Sequence, residues 1–193
     1  MPESTDLMRL PADLPTPVDD GACDHLPGLE LPHVLLPATT GEVVDLAALA
    51  GRTVVYCYPR TGEAGAPVPD EWNIIPGARG CTPQACAFRD HYTELRSLNA
   101  EVFGLSTQDT PYQREAVERL HLPFPLLSDE KLAFATALRL PTFEFGGMTL
   151  IKRVTLILNN GRVEHVFYPV FPPDANAAQV VDWLREHPVQ PNE

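Results

Sequence analysis

Positive charge is scarce in this chain. Its 14 lysines and arginines stand against 26 aspartates and glutamates, which gives a formal net charge of −12 at pH 7. The basic residues are scattered along the sequence rather than gathered in one segment. Such a surface repels a phosphate backbone, so the charge balance argues against general nucleic-acid binding.

Long apolar runs are also lacking, and no stretch approaches the roughly 20 residues that cross a bilayer. Residues 1–10 include Glu3, Asp6 and Arg9 and have no apolar centre, so we expect no signal peptide here. Only four cysteines occur, and without export signals we expect reduced thiols rather than a disulfide framework. These absences favour a cytoplasmic enzyme with no membrane partner.

The 193 residues, 44% of them hydrophobic, suffice to bury the core of one globular domain. Residues 1–27 are rich in proline and acids, and we interpret them as an irregular N-terminal arm. The folded domain is predicted to span residues 28–193.

Strand and helix patterns alternate within this domain. Predicted strands lie at 53–58, 101–106, 154–158 and 163–168, and a small hairpin at 33–36 and 42–45 precedes them. Predicted helices lie at 84–98, 112–120 and 130–138, and Asp174 is expected to cap a final helix. This order predicts an α/β, thioredoxin-like fold: a mixed central sheet with helices on both faces and an extra N-terminal hairpin.

Residues 62–75 fit none of these elements and form an insertion before the helix predicted at residue 84. A connection of this length is usually functional or disordered. Two interpretations stay open: a tolerated surface insertion, or a rim in which Trp72 supplies an apolar contact beside the following helix.

The sequence at residues 80–90, GCTPQACAFRD, carries the strongest chemical signal. Thr82 and Pro83 are typical of an N-cap followed by proline at the first helical position, which puts Cys81 just outside the helix. A sulfur beside a helix N-terminus meets the positive end of the helix dipole, which favours the nucleophilic thiolate. Because Cys86 could trap an oxidised Cys81, the pair indicates thiol redox chemistry.

Geometry constrains how this pair could bond. Two α-carbons five positions apart on a regular helix are roughly 8–9 Å apart, whereas a disulfide tolerates at most about 7 Å. If both cysteines are helical, the first turn must therefore unwind before they join. Cys57, inside a predicted strand, is expected to be a structural thiol, and Cys23 lies in the arm.

At these residues the chain resembles the peroxiredoxins, specifically the bacterioferritin comigratory protein or Q-type group. The resemblance runs in matching order from about residue 28 to 187. Its segments are residues 54–59, 80–90, 103–106, 122–129 and 153–158.

The resemblance implies a thiol-dependent peroxidase that reduces hydrogen peroxide and organic hydroperoxides. Cys81 matches the peroxidatic cysteine, Cys86 the resolving cysteine that closes an intramolecular disulfide, and Arg153 the arginine that stabilises thiolate and peroxide. Thioredoxin or a similar dithiol would reduce that disulfide. The resemblance implies a monomer, and it implies no metal and no organic cofactor.

One departure from the family pattern concerns the peroxide pocket. Ala78 stands where the family has threonine or serine, and Ile74 where it has proline. Pro59 and Thr61, upstream of the insertion, are candidates to fold back into these roles. Thr82 and Ser106 are alternative sources of the hydroxyl.

Three other functions stay open at this stage. A general disulfide oxidoreductase commonly uses Cys-x-x-Cys, whereas four residues intervene here. A redox sensor that docks a partner after oxidation would use the same thiols. A metal-binding module made of Cys81, Cys86 and His91 has spacing outside the short ligand pairs of zinc modules.

Overall fold

Five strands form the central sheet of the structure, a computed structural model that describes residues 7–189. These strands are β3 (Arg52–Cys57), β4 (Ala100–Ser106), β5 (Leu126–Ser128), β8 (Val154–Asn159) and β9 (Arg162–Phe167). Their spatial order is β5-β4-β3-β8-β9: β3, β4 and β5 run parallel, whereas β8 is antiparallel to both β3 and β9. Two hairpins complete the strands: β1 (Leu35–Pro37) with β2 (Val43–Asp45), and β6 (Thr142–Phe145) with β7 (Met148–Ile151).

Helices cover both faces of this sheet, because alternate residues of each strand point to opposite sides. Val54 and Tyr56 pack against four helices, whereas Val55 and Cys57 pack against one helix, the first hairpin and part of the arm. The helices are α1 (Asp70–Asn73), α2 (Cys81–Asp90), α3 (Tyr92–Ser97), α4 (Thr110–Leu120), α5 (Ala133–Leu138) and α6 (Asn176–Glu186). The predicted thioredoxin-like class, with its mixed sheet and extra hairpin, is confirmed.

The described part of the arm, residues 7–27, contains no helix or strand and lies against the domain. Cys23 and Leu26 are buried in the core beside α5, and the Lys152 ammonium forms an ion pair with Asp20 at 3.2 Å. Residues 1–6 fall outside the described residues. The boundary at residue 27 stays a prediction.

Two predicted helices differ from the observed ones. The helix expected over 84–98 is divided at His91, which has φ −93° and ψ 2° and separates α2 from α3. Asp174 does not cap the last helix: it lies in a 3₁₀ turn (Pro173–Ala175), and α6 begins after Ala175 without a side-chain cap. The spacing of apolar residues alone did not reveal the division at His91 or the start of α6 after Ala175.

None of the helices between residues 7 and 189 has the length and apolar character that crossing a bilayer requires.

The predicted Asn160–Gly161 turn joins β8 to β9, and both residues have positive φ, 50° and 72°. Gly161 also lies against the 3₁₀ turn Leu46–Ala48, because a Cβ at this position would be 2.3 Å from the Ala47 carbonyl oxygen. Glycine is therefore required here for space as well as for conformation.

Replacing Gly161 by alanine should destabilise the fold more than replacing Gly147, the second turn residue of the β6–β7 hairpin. Both glycines have φ near 75°, but a Cβ at Gly147 meets nothing within 4 Å. G147A should lower the free energy of unfolding by about 1–2 kcal/mol, because alanine is strained in the left-handed backbone conformation. G161A should lower the free energy of unfolding by about 1–3 kcal/mol more, because the added Cβ must displace the turn Leu46–Ala48. Urea unfolding measures both, and equal losses would contradict this packing.

Candidate active site

The polar residues of the site lie at one end of the central sheet, where β3 and β4 end and β8 begins. Cys57 at the end of β3 lies opposite Val154 at the start of antiparallel β8, and beside Leu105 near the end of parallel β4. The residues just beyond these strand ends, Pro59 and Arg153 among them, therefore lie at the same edge.

Cys81 is the first residue of α2, and its N-cap is Gly80 at φ 108°. The expectation that Thr82 caps the helix and leaves Cys81 outside it is wrong, because the helix already begins at Cys81. Its cap is Gly80, which has no side chain to bond to the first N–H groups. A side chain at Gly80 would lie 2.8 Å from both Leu10 and Pro173. A left-handed glycine thus starts the helix one residue before the cysteine.

The Cys81 sulfur faces a cation inside the protein. Arg153 Nη2 lies 3.2 Å from Cys81 Sγ, and both residues are less than 5% exposed. The sulfur also lies 3.6 Å from the Ala78 carbonyl oxygen. A guanidinium and a helix N-terminus acting on one sulfur both favour the negatively charged thiolate.

The Arg153 guanidinium is fixed in this orientation by neutral oxygens. Nε donates to the Gly77 carbonyl oxygen at 3.2 Å, Nη2 to that of Ala78 at 3.0 Å, and Nη1 to the side-chain oxygen of Gln84. Gln84 is in turn held by Asn176, whose Oδ1 accepts from Gln84 Nε2 at 3.1 Å. The structure therefore brings Cys81 and Arg153 together although they are 72 positions apart.

Thr61 lies near Cys81, since both line the same cavity, and Gln108 fixes its position. The Gln108 side-chain oxygen accepts from both the backbone N–H and the hydroxyl of Thr61 at 3.1 Å. The Thr61 carbonyl accepts from the Tyr112 hydroxyl at 2.9 Å. Because its own hydrogen is donated to Gln108, the Thr61 hydroxyl oxygen is left as an acceptor for a ligand in the cavity.

This cavity has a volume of about 290 Å³ and opens beside Cys81. Thr82 also lines it, whereas Pro59 lines a separate cavity on the side of Arg153 that faces the arm. Ser106 is fully buried and bonded within the protein. Of the two hydroxyls that were alternatives to Thr61, only Thr82 borders this cavity.

Residues 62–75 form one wall of the cavity, so the rim interpretation of the insertion holds. Trp72, in the short helix α1, is 8% exposed and packs edge-on against Phe145, with ring centroids 4.9 Å apart. Phe145 belongs to the β6–β7 hairpin, which sequence reasoning missed. The insertion is thus packed on the domain beside the cysteine.

Cys86 lies one and a half turns along α2 and outside this cavity. Its Sγ is 3.9 Å from Met8 Sδ of the arm. Burial raises the pKa of the Cys86 thiol, and Asp90 adds to the rise, whereas Arg89 and Arg119 oppose it. Cys86 is therefore a protonated thiol at neutral pH in this conformation.

The other two cysteines are inert by environment. Cys57 is fully buried in the sheet, and burial strongly raises the pKa of its thiol. Burial, with the nearby carboxylates of Asp20, Asp19 and Asp24, raises the pKa of Cys23 to about 12. All four cysteines are free thiols.

A metal site at Cys81, Cys86 and His91 is not supported by this geometry. The first sulfur faces Arg153, the second faces Met8, and His91 Nδ1 pairs with the Ala87 carbonyl oxygen at 2.9 Å. Across residues 7–189, no group of three or more His, Cys, Asp or Glu side chains is arranged to hold a metal ion.

Sequence reasoning missed Gln84, Asn176 and Gln108, the residues that position Arg153 and Thr61. Gln84 carried a usable signal, because it is a polar residue that follows Cys81 by three positions on the apolar side of a helix. It is fully buried in the structure. Gln108 and Asn176 follow no motif and are identified only by their contacts.

Comparison with known proteins gives consistent matches. A family model described as Redoxin matches residues 26–181. Peroxiredoxin Q, chloroplastic, of Oryza sativa subsp. japonica is 34% identical over 160 residues, which cover 82% of this chain and 66% of that protein. Peroxiredoxin Bcp of Escherichia coli (strain K12) is 33% identical over 161 residues, which cover 81% of this chain and 93% of that protein. The chain thus spans slightly less than two thirds of the rice relative.

Solved structures agree with this result. Peroxidoxin BcpB from Mycobacterium tuberculosis superimposes with a TM-score of 0.68 at 27% identity, covering 84% of this chain and 99% of that one. A peroxiredoxin Q structure from Xanthomonas campestris, 21% identical with a TM-score of 0.65, covers 92% of this chain and 99% of that one and supports the fold. The chain therefore belongs to the peroxiredoxins, in the group of the bacterioferritin comigratory protein and peroxiredoxin Q.

Proposed function

We propose that this protein is a thiol peroxidase that reduces hydrogen peroxide and organic hydroperoxides at Cys81. The observation that carries the proposal is the contact of 3.2 Å between the Arg153 guanidinium and the Cys81 sulfur at the start of a helix. The related Xanthomonas campestris protein is described in connection with alkyl peroxide reduction. Family membership and the open cavity beside the sulfur support the same chemistry.

In the first step, the Cys81 thiolate attacks one oxygen of the hydroperoxide and the O–O bond breaks. Sulfur is oxidised to the sulfenic acid, and the departing oxygen takes a proton and leaves as water or an alcohol. Arg153 faces the sulfur on which charge is lost, and a preorganised cation there stabilises the charge that moves in the transition state. Thr61 and Thr82 supply polar groups in the same cavity.

In the second step, Cys86 attacks the sulfenic sulfur, forms a disulfide with Cys81 and releases water. Both cysteines belong to α2 (Cys81–Asp90), five positions apart, so the first turn must unwind before the bond closes. Unwinding breaks the Gln84 N–H to Gly80 carbonyl bond at 3.0 Å and exposes residues 81–86, which are all buried. It is a local unfolding, and such openings cost less than the global unfolding of a protein.

In the third step, a dithiol of the thioredoxin type reduces the disulfide to two thiols and is itself oxidised to a disulfide. We also propose a reducing compartment, with the cytosol as the setting, because the four cysteines are free thiols. A monomer suffices, since the sites of attack and resolution lie on one helix.

A redox sensor is the second candidate, because the step that joins the cysteines also remodels the start of α2. Fast peroxide turnover with a dithiol favours the peroxidase, and slow turnover with a partner bound only after oxidation favours the sensor. A general disulfide oxidoreductase would instead reduce insulin without consuming peroxide.

C81S should abolish peroxide consumption, because the hydroxyl of serine is not ionised at neutral pH. The loss of peroxide in the presence of thioredoxin, its reductase and NADPH measures this. C57S is the matched control, since Cys57 is buried away from the cavity. Turnover that survives in C81S would reject the assignment of the attacking sulfur.

C86S should still react once with peroxide but leave a stable sulfenic acid on Cys81. Dimedone traps that acid, and mass spectrometry locates it, whereas the wild-type protein should give an internal disulfide instead. Recycling by thioredoxin should be impaired. Unchanged recycling in C86S would refute its resolving role.

R153Q should slow the oxidation of Cys81 by about 100-fold, the usual effect of removing one preorganised group that stabilises developing charge. K152Q is the control, because it removes the neighbouring cation, which pairs with Asp20 rather than with the sulfur. Stopped-flow fluorescence measures the rates, and circular dichroism checks that R153Q is folded. Equal rates in the folded variants would show that the contact with sulfur is not used.

Disulfide formation should accelerate with rising pH between about 6 and 8. Burial raises the pKa of Cys86, so few of these thiols are ionised at neutral pH and each added pH unit increases the attacking thiolate up to tenfold. The increase should level off near the ordinary thiol pKa of about 8.5, because unwinding removes the burial. A single-turnover rate that is constant from pH 6 to 8 would contradict thiolate attack as the limiting event.

A further inference from the structure

The cavity beside Cys81 combines an apolar wall with cations. Trp72, Phe145 and Met148 form much of the apolar wall. Arg60 and Arg79 also line it, and Glu63 is its only acid among residues 7–189. In a protein with 26 acidic and 14 basic residues, the part of this lining that the structure describes thus holds two arginines and one acid.

The size of the cavity exceeds what hydrogen peroxide needs. At roughly 30 Å³ for a water-sized group, about 290 Å³ holds about ten such groups. That is the size of a compact organic hydroperoxide. An apolar wall of this extent gains nothing from binding a small polar peroxide, but it favours an apolar body that leaves water.

Arg60 is the cation of this lining that is available to a ligand. Its guanidinium is half-buried, lies over the Tyr112 ring at 5.1 Å, and places Nη1 at 2.9 Å from Met148 Sδ. No carboxylate of residues 7–189 lies within ion-pair distance of it. Arg79, in contrast, is buried and donates to the Arg9 carbonyl oxygen.

We propose that Arg60 is a specificity-determining residue that selects organic hydroperoxides carrying an anionic group on a compact apolar body. The apolar body lies against Trp72 and Phe145, the anion pairs with the Arg60 guanidinium, and the peroxide end reaches Cys81. The inference rests on the proposed function and deepens it. The anion takes no part in the reaction, which still converts the hydroperoxide to an alcohol and Cys81 to its sulfenic acid.

The Arg60 environment explains why this side chain fits the role. Stacking on Tyr112 and contact with Met148 limit the conformations of the guanidinium, so binding an anion costs less ordering of the side chain. A guanidinium also pairs with a carboxylate through two parallel hydrogen bonds. Glu63 opposes the anion, so among the described residues of the lining Arg60 attracts the anion and this carboxylate repels it.

The test compares two substrates that differ in one charge: cumene hydroperoxide with a para-carboxylate, ionised at pH 7, and the methyl ester of that acid. Stopped-flow oxidation of Cys81 gives a second-order rate constant for each. In the wild-type protein the acid should react about tenfold faster than the ester, despite the net charge of −12, which repels anions.

R60Q should bring this ratio to one or below, and R60K should keep a ratio of several-fold, because it retains the charge but not the two parallel bonds. E63Q should raise the ratio. R114Q is the matched control, since Arg114 is an exposed arginine of α4 that does not line the cavity, and it should keep the wild-type ratio.

A wild-type ratio near one, or a tenfold ratio that persists in R60Q, would overturn this proposal while leaving the peroxidase standing. Reduction of hydrogen peroxide by the same wild-type sample separates the two cases. If none of the three peroxides (the acid, the ester and hydrogen peroxide) oxidises Cys81 of the wild-type protein, the proposed function itself fails.

Discussion

Arg153 is a buried cation that no carboxylate neutralises among residues 7–189. Its guanidinium is held by the carbonyl oxygens of Gly77 and Ala78, by the Gln84 side chain and by the Cys81 sulfur. A buried charge is costly unless a partner of opposite sign offsets it. Among residues 7–189, the Cys81 sulfur is the one group in contact with Arg153 that can carry a negative charge, and the same pairing prepares this sulfur for attack on an oxidant.

The start of α2 meets two opposed requirements. It must be ordered enough to aim the backbone N–H groups and Gln84 at the site, and, in the proposed mechanism, weak enough to unwind so that Cys86 can join Cys81. Gly80 serves both, because its left-handed backbone begins the helix without a side-chain cap. The arm adds contacts from outside, with Leu10 packed at Gly80 and Met8 against the Cys86 sulfur. Opening the helix therefore also disturbs the arm.

Residue patterns predicted four of the five central strands and most of the helices, because alternation and helical spacing report directly which faces are buried. They missed β5, the β6–β7 hairpin and α1. Patterns also named Cys81 and Cys86 as candidates, because the signals of a helix start and the five-residue spacing both lie within residues 80–90. Arg153 was named only through the family resemblance, as a surface arginine is the ordinary interpretation of its position. The antiparallel pairing of β3 and β8 brings it to the sulfur, and a single sequence does not display that pairing.

The helix boundary and the residues that position the site could not be predicted in the same way. Thr82 followed by proline is typical of a cap, yet the tight packing of Leu10 and Pro173 on Gly80 determines where the helix begins. Gln108 and Asn176 act through contacts with residues 47 and 92 positions away.

The most direct measurement of the central claim is peptide mass spectrometry after one equivalent of hydrogen peroxide and alkylation of the remaining thiols. The account predicts a Cys81–Cys86 disulfide with Cys23 and Cys57 alkylated, and oxidation that leaves Cys81 alkylated would contradict it.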